Sequence, residues 1–353
     1  MKMNANRKID RDINLTSVKV DLNTLEPPLS VADIRRIGDG FKAFQVLRAG
    51  YKSGLFDWLE RHGPAEKSAI AASLRLRSSH LGGFLQVLED AGLLVRQNGA
   101  YALAPEMSDV LCASSPWCQA KVIENMYDSS CGWSDLTGFM SEGWTPKTRA
   151  KGLPLTLHPF LGEARRLVAY LAIRRDLSRA RNLLCFDGDN GLLAVALCQQ
   201  FTNVRVTVVV MPDALAHTEE IIATSGLTRR CRVLAGTPLD PPTLELFDYA
   251  VLFHNLYSVR KFTASSLTAI ASRLLPGGEL CCAHWFCREA CEIAPGGMRD
   301  LDKGMLTNSH QLCHVEQFCK YLDEAGLINA KCDDLAGEYG NTKLHFAHRP
   351  LSE

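Results

Sequence analysis

Leu183-Leu184-Cys185-Phe186-Asp187-Gly188-Asp189-Asn190-Gly191-Leu192-Leu193-Ala194-Val195-Ala196-Leu197 is the stretch that decides the fold. Its first four residues form a short apolar run of the length a buried strand needs, and Leu192 to Leu197 read as a helix. Between them lies a turn that carries two glycines. Moving outward, Val204-Arg205-Val206-Thr207-Val208-Val209-Val210 is a β-branched strand, and a helix is expected over about 213–225. Further strands are Cys231–Leu234, Tyr249–Phe253 and Glu279–Ala283, with a helix at about 262–274 before the last. Strands alternating with helices specify an α/β fold, a Rossmann-like doubly wound sheet that is mostly parallel. A helix at 315–325 follows, and Ala330–Cys332 and Lys343–Ala347 suit closing strands.

Upstream of this unit the texture is helical. Residues 1–30 are polar and end in Glu26-Pro27-Pro28-Leu29-Ser30, which reads as an N-terminal arm. Residues 31–110 form a second domain. Phe41, Phe44, Leu47, Leu55 and Leu59 recur at three- and four-residue steps, and shorter helices follow at about 66–74 and 78–92. Asn98-Gly99 then sits between alternating apolar residues, a hairpin signal. Three helices and a hairpin make a winged helix. Its third helix carries Glu89 and Asp90 and few bases, which argues against DNA. Residues 111–175 read as a helical linker and pocket wall, and 176–353 as the Rossmann-like domain.

Composition narrows the function. The 353 residues hold 39 Lys+Arg and 39 Asp+Glu, so no charge excess points to nucleic acid or an anionic membrane. No run approaches the roughly 18 apolar residues of a membrane span. The basic start lacks the apolar core of a secretory signal. The 13 cysteines are therefore read as reduced thiols of a cytoplasmic protein. In a parallel α/β sheet a small ligand sits beyond the carboxyl ends of the strands, so a small-molecule ligand is expected at the Asp187–Gly191 turn, and a small-molecule substrate rather than nucleic acid or a membrane is the expected partner.

Several phrases resemble the S-adenosylmethionine-dependent small-molecule O-methyltransferases of class I. They are Gly40–Leu47 followed by Gly54-Leu55-Phe56-Asp57, then Leu88–Leu94, Tyr101–Pro105, Leu275–Leu280 and Ala325-Gly326-Leu327. The resemblance spans about residues 31–350. It implies a winged-helix dimerisation domain, an intertwined homodimer, S-adenosylmethionine as cofactor and a cofactor site at Asp187, Gly188, Asp189, Gly191, Val210, Met211, Thr237 and Pro238.

The departures from that pattern define the expectation. The family's turn reads Asp-x-Gly-x-Gly-x-Gly, and this chain has Cys185 for the acid and Asp187 and Asp189 for two glycines. Val210 stands where the family places the acid that binds the ribose hydroxyls, and Gly236-Thr237-Pro238 replaces an acid near the adenine. Each lost charged contact costs about 1.5–3 kcal/mol. The family's catalytic His falls on Ser258, one Glu on His284 and a second on Glu316, which sits at a helix start.

Two imidazoles at strand ends, His254 and His284, are expected to face the pocket and to supply acid/base chemistry, with Glu316 as a third catalytic candidate. Met126, Tyr127, Trp133, Trp285, Met298 and Met305 are expected to wall the substrate. Cys281–Cys291 is rich in thiols, yet its spacing matches no zinc pattern and adjacent strand residues face opposite ways, so no metal is expected. Three functions remain: an enzyme on this fold that has left ordinary methyl transfer for cyclisation or rearrangement, a working O-methyltransferase, and a non-enzymatic metabolite- or metal-binding dimer.

Overall fold

The computed structural model describes residues 23–128, 132–141, 153–174, 177, 179–188, 190–287, 297–307 and 311–351. The chain divides into two compact units, Met1–Met107 and Ser108–Glu353.

In the first unit, helices Val31–Lys52, Leu55–His62, Lys67–Leu74 and Ser78–Asp90 precede a small antiparallel sheet. Strand β1 (Ala65–Glu66) pairs with β3 (Ala100–Leu103), which pairs with β2 (Leu94–Gln97). Asn98 and Gly99 both take positive φ, 52° and 82°, as a tight two-residue hairpin demands. The core is Leu55, Phe56, Leu59, Ile70, Leu81, Leu85 and Leu88. Gly50 is required here, because a Cβ would lie 2.6 Å from the Phe56 ring. On helix Val31–Lys52 only Gly50 is buried, and Ile34, Ile37 and Phe41 are exposed.

The second unit is built on a seven-stranded sheet. Its strands are β4 (Asn182–Phe186), β5 (Arg205–Val210), β6 (Cys231–Ala235), β7 (Phe247–Phe253), β8 (Leu274–His284), β9 (Ile328–Gly337) and β10 (Gly340–His348). Their order is β6-β5-β4-β7-β8-β10-β9. The first five are parallel, and β10 runs antiparallel between β8 and β9. The sheet is the mostly parallel class I methyltransferase arrangement. The chain order reverses at β4, so β5 and β7 flank it and open a crevice at their carboxyl ends.

The buried β-branched runs explain the central strands. Val206, Val208, Val209 and Val210 of β5 are nearly inaccessible, as are Tyr249 to Phe253 of β7. A strand covered on both faces reads as a continuous apolar run. Helix Leu192–Gln200 packs Leu192, Leu193, Val195 and Leu197 onto the core, and helix Leu161–Ala172 adds Ala164, Leu167 and Leu171. Among the described residues no helix is long and apolar enough to cross a membrane.

Candidate active-site cleft

A cleft with about 630 Å³ of space, open to solvent, lies at the carboxyl ends of β4, β5 and β7. Asp187 and Gly188 after β4, Val209 and Val210 of β5 with Met211 just after it, and Gly236 and Pro238 after β6 form one side. Phe253, His254, Asn255, Tyr257 and Ser258 come from the end of β7, with His158, Phe160, Leu306 and Thr307 across from them.

The turn after β4 is built around the start of the next helix. Gly191 caps helix Leu192–Gln200 at φ 77°, and a Cβ there would stand 2.8 Å from Thr218 Cγ2. Only glycine meets both conditions. The first amides of a helix lack partners within the helix. Here the turn's own side chains supply them. Asp187 Oδ2 accepts from Leu193 N–H at 2.7 Å and from Ala194 N–H at 3.4 Å. Asn190 Oδ1 accepts from Leu192 N–H at 3.2 Å. Asp187 and Asn190 are 4% and 7% exposed, so both side chains point into the turn. Asp189, expected at the cofactor, lies outside the described residues.

His254 follows β7 with φ 49°, a left-handed conformation that a side chain with a Cβ adopts at a cost. Its surroundings hold it there. Its backbone N–H donates to Ala283 at 3.1 Å, Nε2–H donates to Glu163 Oε1 at 2.7 Å, and Nδ1 accepts from the Tyr257 hydroxyl at 2.8 Å. The Tyr257 oxygen also accepts Trp285 N–H at 2.8 Å, which fixes the direction of its own proton toward Nδ1. Glu163 Oε1 receives a further bond from Thr342 at 2.6 Å. Phe160 stacks on the imidazole at 4.6 Å between centroids. Burial holds the Tyr257 phenol well above its usual value.

His284, expected to face the pocket, does not. It is fully buried, accepts Leu256 N–H on Nε2 at 3.2 Å, and is absent from the cleft lining. Burial first, then His254 and His345, pushes it well below the usual imidazole value. The reason is register: His284 pairs with Lys343 of β10 and stays within the sheet. Glu316 is an exposed first-turn residue of helix Val315–Glu324 and is also absent from the lining. A carboxylate there complements the helix dipole.

The cofactor positions divide. Asp187, Gly188, Val210, Met211 and Pro238 line the cleft. Gly191 acts from behind as the cap. Thr237 bridges to Asp240 and is not on the lining.

None of the six side chains expected to wall the substrate lines this cleft. Met126, Tyr127 and Met298 are exposed, and Trp285 is core at 1% exposure. Trp133 donates its indole N–H to Asp302 at 3.1 Å, and Met305 packs at Gly132. Helical aromatic spacing does not say which side of a helix meets a ligand. The unforeseen member is Glu163. Its signal was present: an acid beside Phe160, Ala164, Leu167 and Leu171, on the stripe a core helix buries. Cys281 and Cys282 are both buried in β8, and burial raises both thiols. Cys291 lies outside the described residues.

No family model matches the chain. An L-tyrosine C(3)-methyltransferase of Streptomyces lavendulae is 25% identical over 273 residues, 72% of this chain and 74% of the relative. An O-methyltransferase family protein from Burkholderia thailandensis superposes with a TM-score of 0.75 at 17% identity, over 92% of this chain and 99% of its own. Human N-acetylserotonin methyltransferase, solved with S-adenosylmethionine, gives a TM-score of 0.64 at 20% identity, over 92% and 99%. The turn, the strand order and these likenesses agree: the chain has the fold of the S-adenosylmethionine-dependent O-methyltransferases.

Proposed function

We propose that this protein is a small-molecule enzyme on the methyltransferase fold whose cleft does not grip S-adenosylmethionine as a methyl donor, and whose chemistry is proton handling in a cyclisation or rearrangement. The observation that carries the reading is the Asp187 carboxylate bonded to Leu193 and Ala194. It fills with the protein's own anion the helix amides that a glycine turn leaves for a ligand. Val210 adds to this, since a buried valine side chain offers no acceptor to ribose hydroxyls. The residues present do not fit the donor's usual anchors.

Glu163, His254 and Tyr257 are the proton-handling unit. The phenol is held protonated by burial, so it relays rather than ionises. A substrate proton taken by the Tyr257 oxygen moves the phenol's own proton to His254 Nδ1. The imidazolium so formed keeps its Nε2–H on Glu163. His254 therefore acts with both nitrogens engaged, and Tyr257 is the group that meets the substrate. Ser258, on the same wall, serves as a hydrogen-bonding group rather than a base. Glu316 is proposed as a helix-start residue without a part in catalysis.

Calorimetry with S-adenosylmethionine and S-adenosylhomocysteine tests the reading. The native protein is expected to show no micromolar binding, and Asp187→Gly with Val210→Asp to gain affinity for both. Micromolar binding by the native protein, with a methyl group transferred, overturns it. The second reading is a working methyltransferase that contacts the cofactor through the Gly188 backbone and Met211. It is favoured by the tyrosine C(3)-methyltransferase relative. We further propose a cytoplasmic homodimer that uses Ile34, Ile37 and Phe41, apolar residues exposed along one helix. Phe41→Glu with Ile37→Glu is expected to give monomers in sedimentation, and an unchanged mass removes this face from the interface.

A further inference from the structure

The seven-stranded sheet ends on two unlike edges. β6 is five residues long, and only Arg232 along it is exposed. β9 is ten residues long, and every residue from Ile328 to Asp334 is exposed. A long exposed edge invites pairing with another chain, and proteins blunt such edges with proline, bulges or a covering element. β9 carries no proline. Asn329, at φ 58°, and the register step between Phe346 and His348 mark a bulge at its start. Near its other end Arg166 Nε donates to the Ala336 carbonyl at 2.6 Å, so that side chain lies across the edge. Between these two features Ala330–Asp334 is a regular, exposed strand.

The same bond fixes which way the backbone faces. Gly337 and Gly340 pair across a two-residue turn, and the Ala336 carbonyl beside them points outward to Arg166. Inward and outward residues alternate along an antiparallel strand. Asp334 and Cys332 therefore turn their N–H and C=O groups away from β10. Lys331 and Asp333 flank Cys332 and share one face of the sheet. It is the face of helix Leu161–Ala172, since Asp333 accepts the Tyr170 hydroxyl at 2.5 Å. Asp334, on the other face, pairs with Lys343 at 2.6 Å.

We infer that β9 pairs edge to edge with β9 of a second copy of this chain, antiparallel about a two-fold axis at Cys332. Charge complementarity selects this register. It sets Lys331 opposite the partner's Asp333 and Asp333 opposite the partner's Lys331, two favourable cross-strand pairs at once. An axis at Asp334 instead puts two carboxylates face to face, and one at Ala330 runs into the Asn329 bulge. The two-fold uses both edges, so the contact closes at two copies. It is short, and it belongs with weak, transient interfaces. This contact goes beyond the function proposed above: it owes nothing to the chemistry of the cleft and is separate from the helix face of Ile34, Ile37 and Phe41.

Cross-linking of the full chain tests it. Across such an axis the two Cys332 Cα atoms stand about 5.5 Å apart, within disulfide reach. Diamide oxidises two thiols to a disulfide and takes up both hydrogens. It is applied to the Cys319→Ser variant, because the Cys319 thiol lies near Cys332 and would otherwise compete within one chain. A covalent dimer is expected on a non-reducing gel, and adding Cys332→Ser is expected to abolish it. Lys331→Asp makes both charge pairs repulsive and is expected to slow cross-linking about tenfold, and adding Asp333→Lys to restore it.

Sedimentation separates this contact from the helix face. The variant Phe41→Glu with Ile37→Glu is expected to be monomeric at low micromolar loading and to reach a dimer, and nothing larger, toward about 1 mM. Four outcomes overturn the inference: a variant that stays monomeric throughout, a ladder of larger species, a covalent dimer formed equally with Cys332→Ser, or a cross-linking rate unmoved by Lys331→Asp. If Lys331→Asp abolishes a micromolar dimer and Phe41→Glu with Ile37→Glu does not, the helix face proposed above fails and this contact stands.

Discussion

His254 and His345 are both buried histidines of the same sheet domain, and their surroundings could hardly differ more. At the cleft, His254 has both ring nitrogens bonded, to Glu163 and to Tyr257. On β10, His345 is 1% exposed, and neither ring nitrogen has a hydrogen-bond partner among the described residues. Its ring lies 4.8 Å from both Phe286 and Phe318. Burial, reinforced by Lys343, pushes it down to about 4. Inaccessibility alone therefore says little about what an imidazole does. A histidine inside a bonded chain is ready to move a proton, and one wedged between phenylalanines behaves as an aromatic filler.

The largest test of the contrast is Glu163→Ala. It strips His254 and Thr342 of a shared buried acceptor and is expected to cost about 3–5 kcal/mol in urea unfolding. Glu163→Gln keeps an oxygen and should lose less. A cost below 1 kcal/mol for the alanine variant would place the cleft network on the same footing as His345.

The next effect is the pH response of the filler. The folded value of His345 lies below the ordinary 6.5, so between pH 6.5 and 4 the unfolded chain takes up a proton that the folded one refuses. Its contribution to stability is full above pH 6.5 and falls as the solution is acidified, by roughly 3 kcal/mol at pH 4. His284 adds in the same direction. His345→Phe suits the Phe286–Phe318 contact and is expected to flatten this acid limb in thermal melts across that window. An unaltered limb assigns the acid sensitivity elsewhere.

Removing the cap sharpens the picture at the cleft's other wall. Asp187→Gly is expected to cost about 1–3 kcal/mol, the penalty for leaving the buried Leu193 and Ala194 amides without their acceptor, with Asp187→Asn near the low end. If Asp187→Gly unfolds no more easily than the native chain, the carboxylate is held for a ligand rather than for the helix. The smallest effect belongs to Glu316→Gln, which should leave turnover unchanged. A lost activity there would move the catalytic centre toward helix Val315–Glu324.

Much of the architecture could be read from the chain. Val204–Val210 announced a central strand by its β-branching, Asn98-Gly99 a hairpin, and Gly191 the cap between strand and helix. Those features are local, and local sterics fix them. The candidate site was legible only where it too is local, at Asp187, Gly188, Val210 and Met211 beside their own strands. The Glu163–His254 bond joins residues 91 positions apart, and the Glu163–Thr342 bond residues 179 apart. No periodicity encodes such a pairing. His284 lies outside the cleft lining for a related reason. Its place at a strand end suggested the cleft, whereas the antiparallel neighbour β10 extends past it and covers it.

Strand order carries a consequence for assembly. β9 precedes β10 along the chain yet sits at the rim of the sheet, where β10, which lies inside, is the one strand it pairs with among the described residues. The rim strand therefore has nothing to zip onto until its younger neighbour has docked against β8. The two must arrive as a prepaired hairpin or wait for one another. A nascent chain halted between Gly337 and Phe346 would leave ten residues of β9 dangling beside an unfinished ladder at β8. That interval is when this protein is most open to mispairing with its neighbours.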